Sequence, residues 1–271
     1  MKTIVILLIL YLGLTQENIF LSEGKEEEKD QLQIEYLTLN DPEADTILSY
    51  PKDLSSDKKY GVIIWAPGYG GKAGDYSSII KRLASHGFVV IGLSTSPGDG
   101  TKAIQLLNWA TEKNNLAGWT LSGKLDLENV GCSGHSLGGI ECEKAIAQDK
   151  RIRTTIINNS GAFDQQGMAN CPADRAIAIV YGNNGMERAN AEGDYANSNI
   201  KAPACLIMMD GADYGHGSGP WDGMAATVAW FRWQLGDEVY RKADFVGSSG
   251  KYINEPIIGK QGNWKGQCKN F

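Results

Sequence analysis

The chain of 271 residues has little basic character. Its 26 lysines and arginines are outnumbered by 32 aspartates and glutamates, and they form no cluster. Because proteins that bind nucleic acids carry a basic patch or stripe, this composition argues against a nucleic-acid partner. The five cysteines do not follow the spacing of a zinc site. The sequence therefore predicts neither nucleic-acid binding nor a metal site.

Long apolar runs are also missing, except for one at residues 3–14, directly after Lys2. That run is too short to span a bilayer comfortably, and a basic residue precedes it, which is typical of a secretory signal peptide. We expect a signal peptide over 1–15, with an uncleaved anchor as the alternative. Residues 16–31 are charged and poor in apolar side chains, as in a linker. The remaining residues, 32–271, suit one domain of a secreted protein without stable membrane insertion.

Secretion would expose the cysteines to an oxidising compartment. Because their number is odd, at least one is free or pairs outside the chain. Cys171 and Cys205 lie beside two segments that resemble neighbouring strands. We expect this pair before any other.

From Tyr60 onward, apolar strands alternate with helical segments. Two short strands precede this series, at 32–39 and 46–50. The later strand candidates are 61–65, 88–93, 130–133, 153–157, 176–181 and 205–209, and the helical patterns are 76–85, 102–113, 140–148 and 224–235. Continuous β-branched runs indicate strands that are buried on both faces. The pattern predicts an α/β-hydrolase fold, a mostly parallel sheet with helices on both faces and antiparallel N-terminal strands.

A Gly-His-Ser-Leu-Gly-Gly motif occupies residues 134–139, between an apolar run and a helical pattern. In this setting Gly-x-Ser-x-Gly is a nucleophile elbow, a sharp turn that exposes the serine hydroxyl above the sheet. Gly134 and Gly138 fit the requirement for very small residues on either side of Ser136. We expect Ser136 to be the nucleophile.

The general base can be chosen by elimination among three histidines. His86 ends a helix, and His135 is the variable residue of the elbow, so its side chain should point away from the serine hydroxyl. His216 follows the last apolar strand on a glycine-rich loop. Since the triad order in α/β-hydrolases is serine, acid, histidine, we expect His216 to be the base.

Two backbone N–H groups should hold the oxyanion of the tetrahedral intermediate. One is the N–H of Leu137, the residue after the nucleophile. The other comes from a loop after an earlier strand, and the glycine-rich segment 65–71 makes Tyr69 the candidate.

The sequence does not decide which residue is the acid that orients the base. No aspartate follows strand 176–181, and Glu187 is the nearest carboxylate. Asp164, after the preceding strand, is the alternative, and a third possibility is that no carboxylate serves.

Several motifs in the expected order carry a family resemblance. They are 67–69, 83–91, 123–126, 134–139 and 228–235. Over about residues 60–247 the chain resembles the secreted bacterial cutinase-like polyester hydrolases, and still more the esterases related to dienelactone hydrolase. The resemblance implies a cofactor-free serine hydrolase in which Ser136, His216, Tyr69 and Leu137 have the roles given above.

Two departures from that family bear on activity. The position of the family's triad aspartate falls on Gly185, and segment 158–163 lacks the aromatic-clamp tryptophan of polyester hydrolases. The second departure argues against plastic-like polyesters as substrates.

The predicted function is a secreted serine carboxylesterase that acts on a small-molecule or polymeric ester. Acyl transfer to an alcohol is an alternative within the same class, and the alternative from another class is a non-catalytic binding protein that has lost the triad acid.

Overall fold

The structure, a computed structural model, describes residues 31–217 and 219–271. The predicted signal peptide and, apart from Gln31, the predicted linker lie outside these residues. Within them, no helix is both long enough and apolar enough to cross a lipid bilayer.

One nine-stranded sheet organises the described residues. Its strands are β1 (Ile34–Leu39), β2 (Thr46–Pro51), β3 (Tyr60–Ala66), β4 (Val89–Gly92), β5 (Leu125–His135), β6 (Ile152–Asn158), β7 (Ala176–Gly182), β8 (Ala204–Asp210) and β9 (Asn263–Lys269). The spatial order is β1-β2-β4-β3-β5-β6-β7-β8-β9. Strands β3 to β8 pair in parallel, whereas β1, β2 and β9 join the sheet in antiparallel pairings. The predicted α/β-hydrolase fold is confirmed.

The central strands are buried on both faces because apolar side chains point to both. In β3, Val62 and Ile64 belong to one core, while Ile63 and Trp65 belong to the core on the opposite face. Successive side chains of a strand alternate in this way, so a continuous apolar run requires a layer on each side.

Helices supply those two layers. They are α1 (Ser77–Ser85), α2 (Thr101–Asn114), α3 (Leu137–Gln148), α4 (Gly167–Asn170), α5 (Arg188–Ala196), α6 (Gly219–Asp222), α7 (Met224–Gln234), α8 (Lys242–Phe245) and α9 (Lys251–Asn254), with 3-10 turns at Ala73–Tyr76 and Val239–Arg241. Side chains of α2, α3, α4 and α5 enter one core, and those of α1, α7, α8 and α9 enter the other. The loops at the carboxyl ends of the parallel strands therefore meet at one edge of the sheet, between the two layers.

The expected pairing of Cys171 with Cys205 is wrong. Cys205 is bonded to Cys268, which lies opposite it in the register of β8 and β9. A second disulfide joins Cys132 on β5 to Cys142 on α3, and Cys171 is the free cysteine of the described residues. The physical reason is that Cys171 and Cys205 belong to cores on opposite faces of the sheet.

The sequence-based prediction contains neither helix α5 nor strand β9. Helix α5 begins one residue after Glu187, and β9 closes the sheet next to β8. Strand β5 also begins at Leu125, five residues earlier than the apolar run predicted, and it ends at the elbow.

Candidate active site

Ser136 lies on a strained turn between β5 and α3. Its backbone has φ 54° and ψ −121°, a conformation that is rare for a residue with a side chain. Its N–H donates to the carbonyl of Asn158 at 3.1 Å, and the hydroxyl of Ser160 donates to its carbonyl at 2.7 Å. These bonds to the end of β6 hold the turn in its unfavourable conformation.

The glycines of the motif are needed because the backbone approaches so closely. A Cβ at Gly134 would lie 2.5 Å from the carbonyl of Gly138, and a Cβ at Gly138 would lie 2.1 Å from the carbonyl of Ala66. Both distances are impossible for a real side chain. The segment therefore folds as a nucleophile elbow, as the motif predicts.

The structure brings His216 and Glu187 into contact. Nδ1 of His216 lies 2.8 Å from Oε2 of Glu187, whose side chain is buried. Glu187 reaches this position from the loop between β7 and α5, and His216 from the loop after β8. The contact fixes the ring so that Nδ1 carries the proton and Nε2 is left as the acceptor.

Gly185 explains how a glutamate two residues further along the chain can reach the histidine. A Cβ at Gly185 would lie 2.1 Å from Oε1 of Glu187 and 2.6 Å from its Cδ. The carboxylate of Glu187 thus occupies the space into which a side chain at position 185 would project.

Asp164, the alternative acid, lies elsewhere. Its carboxylate pairs with Lys144 at 3.6 Å and accepts the N–H of Gln166 at 3.1 Å. It is largely exposed, and its contacts are those of a surface residue on the α3 side of the loop.

A cavity of about 320 Å³ brings the predicted residues together. Its lining includes Ser136, His216, Glu187, Leu137 and Tyr69. The rest of the lining is Ile140, Asn159, Ser160, Gly161, Phe163, Met186 and Asn190.

The rim of this cavity is apolar and open to solvent. Tyr69, Met186 and Phe163 are 89%, 81% and 79% exposed, the largest values among the exposed large hydrophobic side chains described. A ring of exposed apolar side chains around a concave site is typical of a binding surface for an apolar ligand.

The two other histidines lie outside the cavity lining. His86 follows α1, and its ring accepts a hydrogen bond from Arg232 at 3.3 Å. His135 is buried, with Nδ1 2.8 Å from the hydroxyl of Tyr76 and Nε2 3.1 Å from the carbonyl of His216. Burial, and secondarily the nearby His216, lower the pKa of His135 to about 4.

Sequence reasoning did not predict the hydrogen-bonding roles of Asn159 and Tyr76. The side chain of Asn159 donates to the carbonyls of Gly215 and His216, at 2.8 and 3.1 Å, and so holds the loop that carries His216. Asn159 directly follows β6, and polar residues at the carboxyl ends of parallel strands are the signal that could have found it. The role of Tyr76 has no such signal, because its hydroxyl meets His135, which lies 59 residues further along the chain.

Comparison with known proteins finds similarity over part of the chain. The profile of a family described as PET hydrolase-like matches residues 43–169, a segment that contains Tyr69 and the elbow and ends before Glu187 and His216. Cutinase 1 of Thermobifida cellulosilytica and a cutinase of Thermobifida fusca are each 32% identical over 110 residues, 40% of this chain. A bis(hydroxyethyl) terephthalate hydrolase of Streptomyces coelicolor is 31% identical over 96 residues, 33% of this chain.

The chain spans less than half the length of these relatives: the matches cover 41%, 36% and 29% of the three proteins. The closer likeness to esterases related to dienelactone hydrolase stays a prediction. The relatives are carboxylic ester hydrolases by name, and the predicted resemblance to cutinases is confirmed. The chain therefore has the α/β-hydrolase fold and resembles the cutinase-like polyester hydrolases.

Proposed function

We propose that this protein is a secreted carboxylic ester hydrolase that works through an acyl-enzyme on Ser136. The observation that carries the proposal is the 2.8 Å contact between His216 and Glu187 in the cavity that Ser136 also lines. A nucleophile, a base and a carboxylate that orients the base are the parts that acyl transfer requires. Their order along the chain, serine, acid, histidine, is that of α/β-hydrolases.

The reaction would proceed in two halves. Nε2 of His216 takes the proton of the Ser136 hydroxyl while Oγ attacks the ester carbonyl, and the backbone N–H groups of Leu137 and Tyr69 hold the oxyanion. The imidazolium, stabilised by Glu187, then protonates the leaving alkoxide. Water repeats the same steps on the acyl-enzyme and releases the acid.

The apolar rim supports a substrate whose ester lies between apolar groups. Tyr69, Phe163 and Met186 would contact such groups on either side of the scissile bond. Both a small aliphatic or aromatic ester and the surface of a polyester have this character. Because no tryptophan occurs in segment 158–163, we expect p-nitrophenyl butyrate to be hydrolysed much faster than a plastic-like polyester.

The first test compares turnover of p-nitrophenyl butyrate by the protein and by Ser136→Ala. We expect the substitution to abolish both turnover and labelling by a fluorophosphonate, which reacts with activated serines. Full labelling of the Ser136→Ala protein would show that Ser136 is not the residue that reacts with the probe. A wild-type protein that neither turns over esters nor reacts with the probe would favour the non-catalytic binding protein.

The second test concerns the acid. Glu187→Gln is expected to lower kcat by about 100-fold or more, because the imidazolium loses its charge partner. Gly185→Ala should lower kcat too, since the new methyl group displaces the carboxylate of Glu187. Glu192→Gln is the matched control, because Glu192 lies on the same side of the sheet but pairs with Arg188 and Tyr181. Equal kcat values for Glu187→Gln and Glu192→Gln would reject Glu187 as the acid.

A further inference from the structure

His135 lies where three segments of the site meet. Its Nε2 is 3.1 Å from the carbonyl oxygen of His216, in the loop of the base. Its Nδ1 is 2.8 Å from the hydroxyl of Tyr76, which in turn accepts the N–H of Gly68 at 3.1 Å. Gly68 directly precedes Tyr69, so one buried imidazole on the elbow contacts both the base loop and, through Tyr76, the oxyanion loop.

These contacts are compatible with one arrangement of protons. A carbonyl oxygen only accepts, so Nε2 of His135 must carry the proton. In a neutral imidazole Nδ1 is then an acceptor, and the hydroxyl of Tyr76 donates to it. The oxygen of Tyr76 is left to accept from Gly68, so both ring nitrogens of His135 and the hydroxyl of Tyr76 have a partner of the correct type.

Packing holds the chain of hydrogen bonds in place. The ring of Trp221 stacks on Tyr76, with centroids 5.5 Å apart and planes at 11°. The rings of His135 and His216 lie 4.7 Å apart. The amide of Asn159 is the second donor to the carbonyl of His216, so that oxygen is held from both β5 and β6.

We propose that His135 is a positioning residue for the reaction: as a neutral Nε2–H tautomer, it ties the backbone of His216 and, through Tyr76, the N–H of Gly68 to the nucleophile elbow. This inference rests on the proposed function, because it gives a reason why the base and an oxyanion donor keep a fixed distance from Ser136. A misplacement of about 1 Å in such a group can cost about 100-fold in rate.

Two further observations support this role. Burial keeps the pKa of His135 at about 4 and raises the pKa of Tyr76, so both groups have the required protonation state at neutral pH. His135 is not one of the residues that line the cavity of about 320 Å³. Its replacement should therefore change kcat and leave KM nearly unchanged.

The experiment uses three substitutions that separate hydrogen bonding from size. His135→Gln puts an amide N–H near the position of Nε2 and retains the tie to His216. His135→Asn puts an amide near the position of Nδ1 and retains the tie to Tyr76. His135→Phe keeps a ring of similar size but retains neither tie.

We expect kcat for p-nitrophenyl butyrate to fall by about 10- to 100-fold in His135→Phe. The two amide variants should each fall by about tenfold or less, since each loses one hydrogen-bonded tie. If His135 served only to fill space, His135→Phe would be the variant most similar to the wild type, and that order of rates would overturn the proposal.

Tyr76→Phe and a double-mutant cycle test the second link. Tyr76→Phe should lower kcat less than His135→Phe, and combining both should cost little more than His135→Phe alone, because they break one network. Additive effects of the two substitutions would contradict the network. Thermal unfolding of each variant confirms that the comparison is made on folded protein.

One measurement on the wild-type protein does not depend on its catalytic activity. Nitrogen-15 NMR of the imidazole at neutral pH should find His135 with its proton on Nε2 and an unprotonated Nδ1; the opposite tautomer would overturn the proposal. If the protein hydrolysed no ester, the proposed function would fail. The tautomer, and the shift of the Gly68 amide resonance in Tyr76→Phe, would still decide whether His135 holds these two loops.

Discussion

Two buried glutamates on the elbow helix α3 have opposite surroundings. Glu141 and Glu143 lie two residues apart, and their side chains are 0% and 1% exposed. Glu141 faces the start of α2, whereas Glu143 faces α4 and α5 on the other side of the helix. A comparison of the two indicates what a carboxylate needs in order to be buried.

Glu141 is surrounded by donors. One of its oxygens accepts the backbone N–H groups of Gly98, Asp99 and Gly100 at 2.8 to 3.1 Å, and the other accepts that of Ala103 at 3.0 Å. These groups belong to the N-terminal end of α2, where the helix dipole favours negative charge. Four donors compensate for the water that an ionised carboxylate loses on burial.

Glu143 has no such compensation. Neither of its oxygens meets a hydrogen-bond donor among the described residues, and its polar neighbour is the carboxyl group of Asp194 on α5. Asp194 itself accepts N–H groups from Met168 and Ala162. Burial and the charge of Asp194 therefore raise the pKa of Glu143 well above its ordinary value. Glu143 therefore keeps its proton at a pH where a solvent-exposed glutamate would be ionised.

Both glutamates connect the site to its surroundings. Glu141 joins the helix that begins after Ser136 to the loop before α2. Glu143 joins the same helix to α5, which begins directly after Glu187. The difference is that the first connection needs a charge and the second needs a proton.

The largest effect is expected from Glu141→Gln. The new NH2 group cannot accept, and it faces backbone N–H groups that then lose their partner, so the free energy of unfolding should fall by about 3 kcal/mol. Urea unfolding followed by tryptophan fluorescence measures this change. Glu143→Gln is the matched control at about pH 5, where a neutral amide replaces an already protonated acid and little change is expected. Similar losses in the two variants would contradict the comparison.

The pH dependence of stability should report Glu143. Its ordinary pKa is 4.5, and its native pKa is far higher, so the native state retains a proton that the unfolded chain releases. The stability contributed by this group is complete below pH 4.5 and is lost as the pH rises towards the native pKa, with a slope of up to about 1.4 kcal/mol per pH unit.

His135 acts in the opposite direction at lower pH. Its native pKa of about 4 lies below its ordinary value of 6.5, so its contribution to stability grows as the pH rises from about 4 and is complete above 6.5. Urea unfolding between about pH 6.5 and about pH 8 therefore avoids both His135 and the buried thiol of Cys171, whose pKa is raised from 9.0 to about 12. Glu143→Gln should remove the slope there, and Glu141→Gln should retain it. A slope that survives Glu143→Gln would assign it to another group.

The sequence predicts the parallel strands because their apolar runs are continuous, and the elbow because its glycines leave no alternative. His216 follows from the scarcity of histidines. Strand β9 is harder to find, since only Trp264, Gly266 and Cys268 alternate with polar residues at the edge of the sheet, and the pairing of Cys205 depends on it. The contacts of His135 and Glu143 join segments far apart in the chain, so no local pattern contains them.

The smallest effect is expected from Asp164→Asn. Asp164 is the third carboxylate beside α3, but its side chain is 58% exposed and its pair with Lys144 spans 3.6 Å. Water screens such a pair, so the free energy of unfolding should change by less than about 0.5 kcal/mol. Turnover of p-nitrophenyl butyrate should be unchanged, in contrast to Glu187→Gln, because the contacts of Asp164 are with Lys144 and Gln166 and not with His216.

The negative charge of Asp164 also contributes to the raised pKa of Glu143, whereas Lys144 lowers it. The pH-dependent loss of stability should therefore end at a slightly lower pH in Asp164→Asn than in the wild type. A large loss of turnover would instead return Asp164 to the role of the acid, and a large loss of stability would mean that exposure does not separate it from the two buried glutamates.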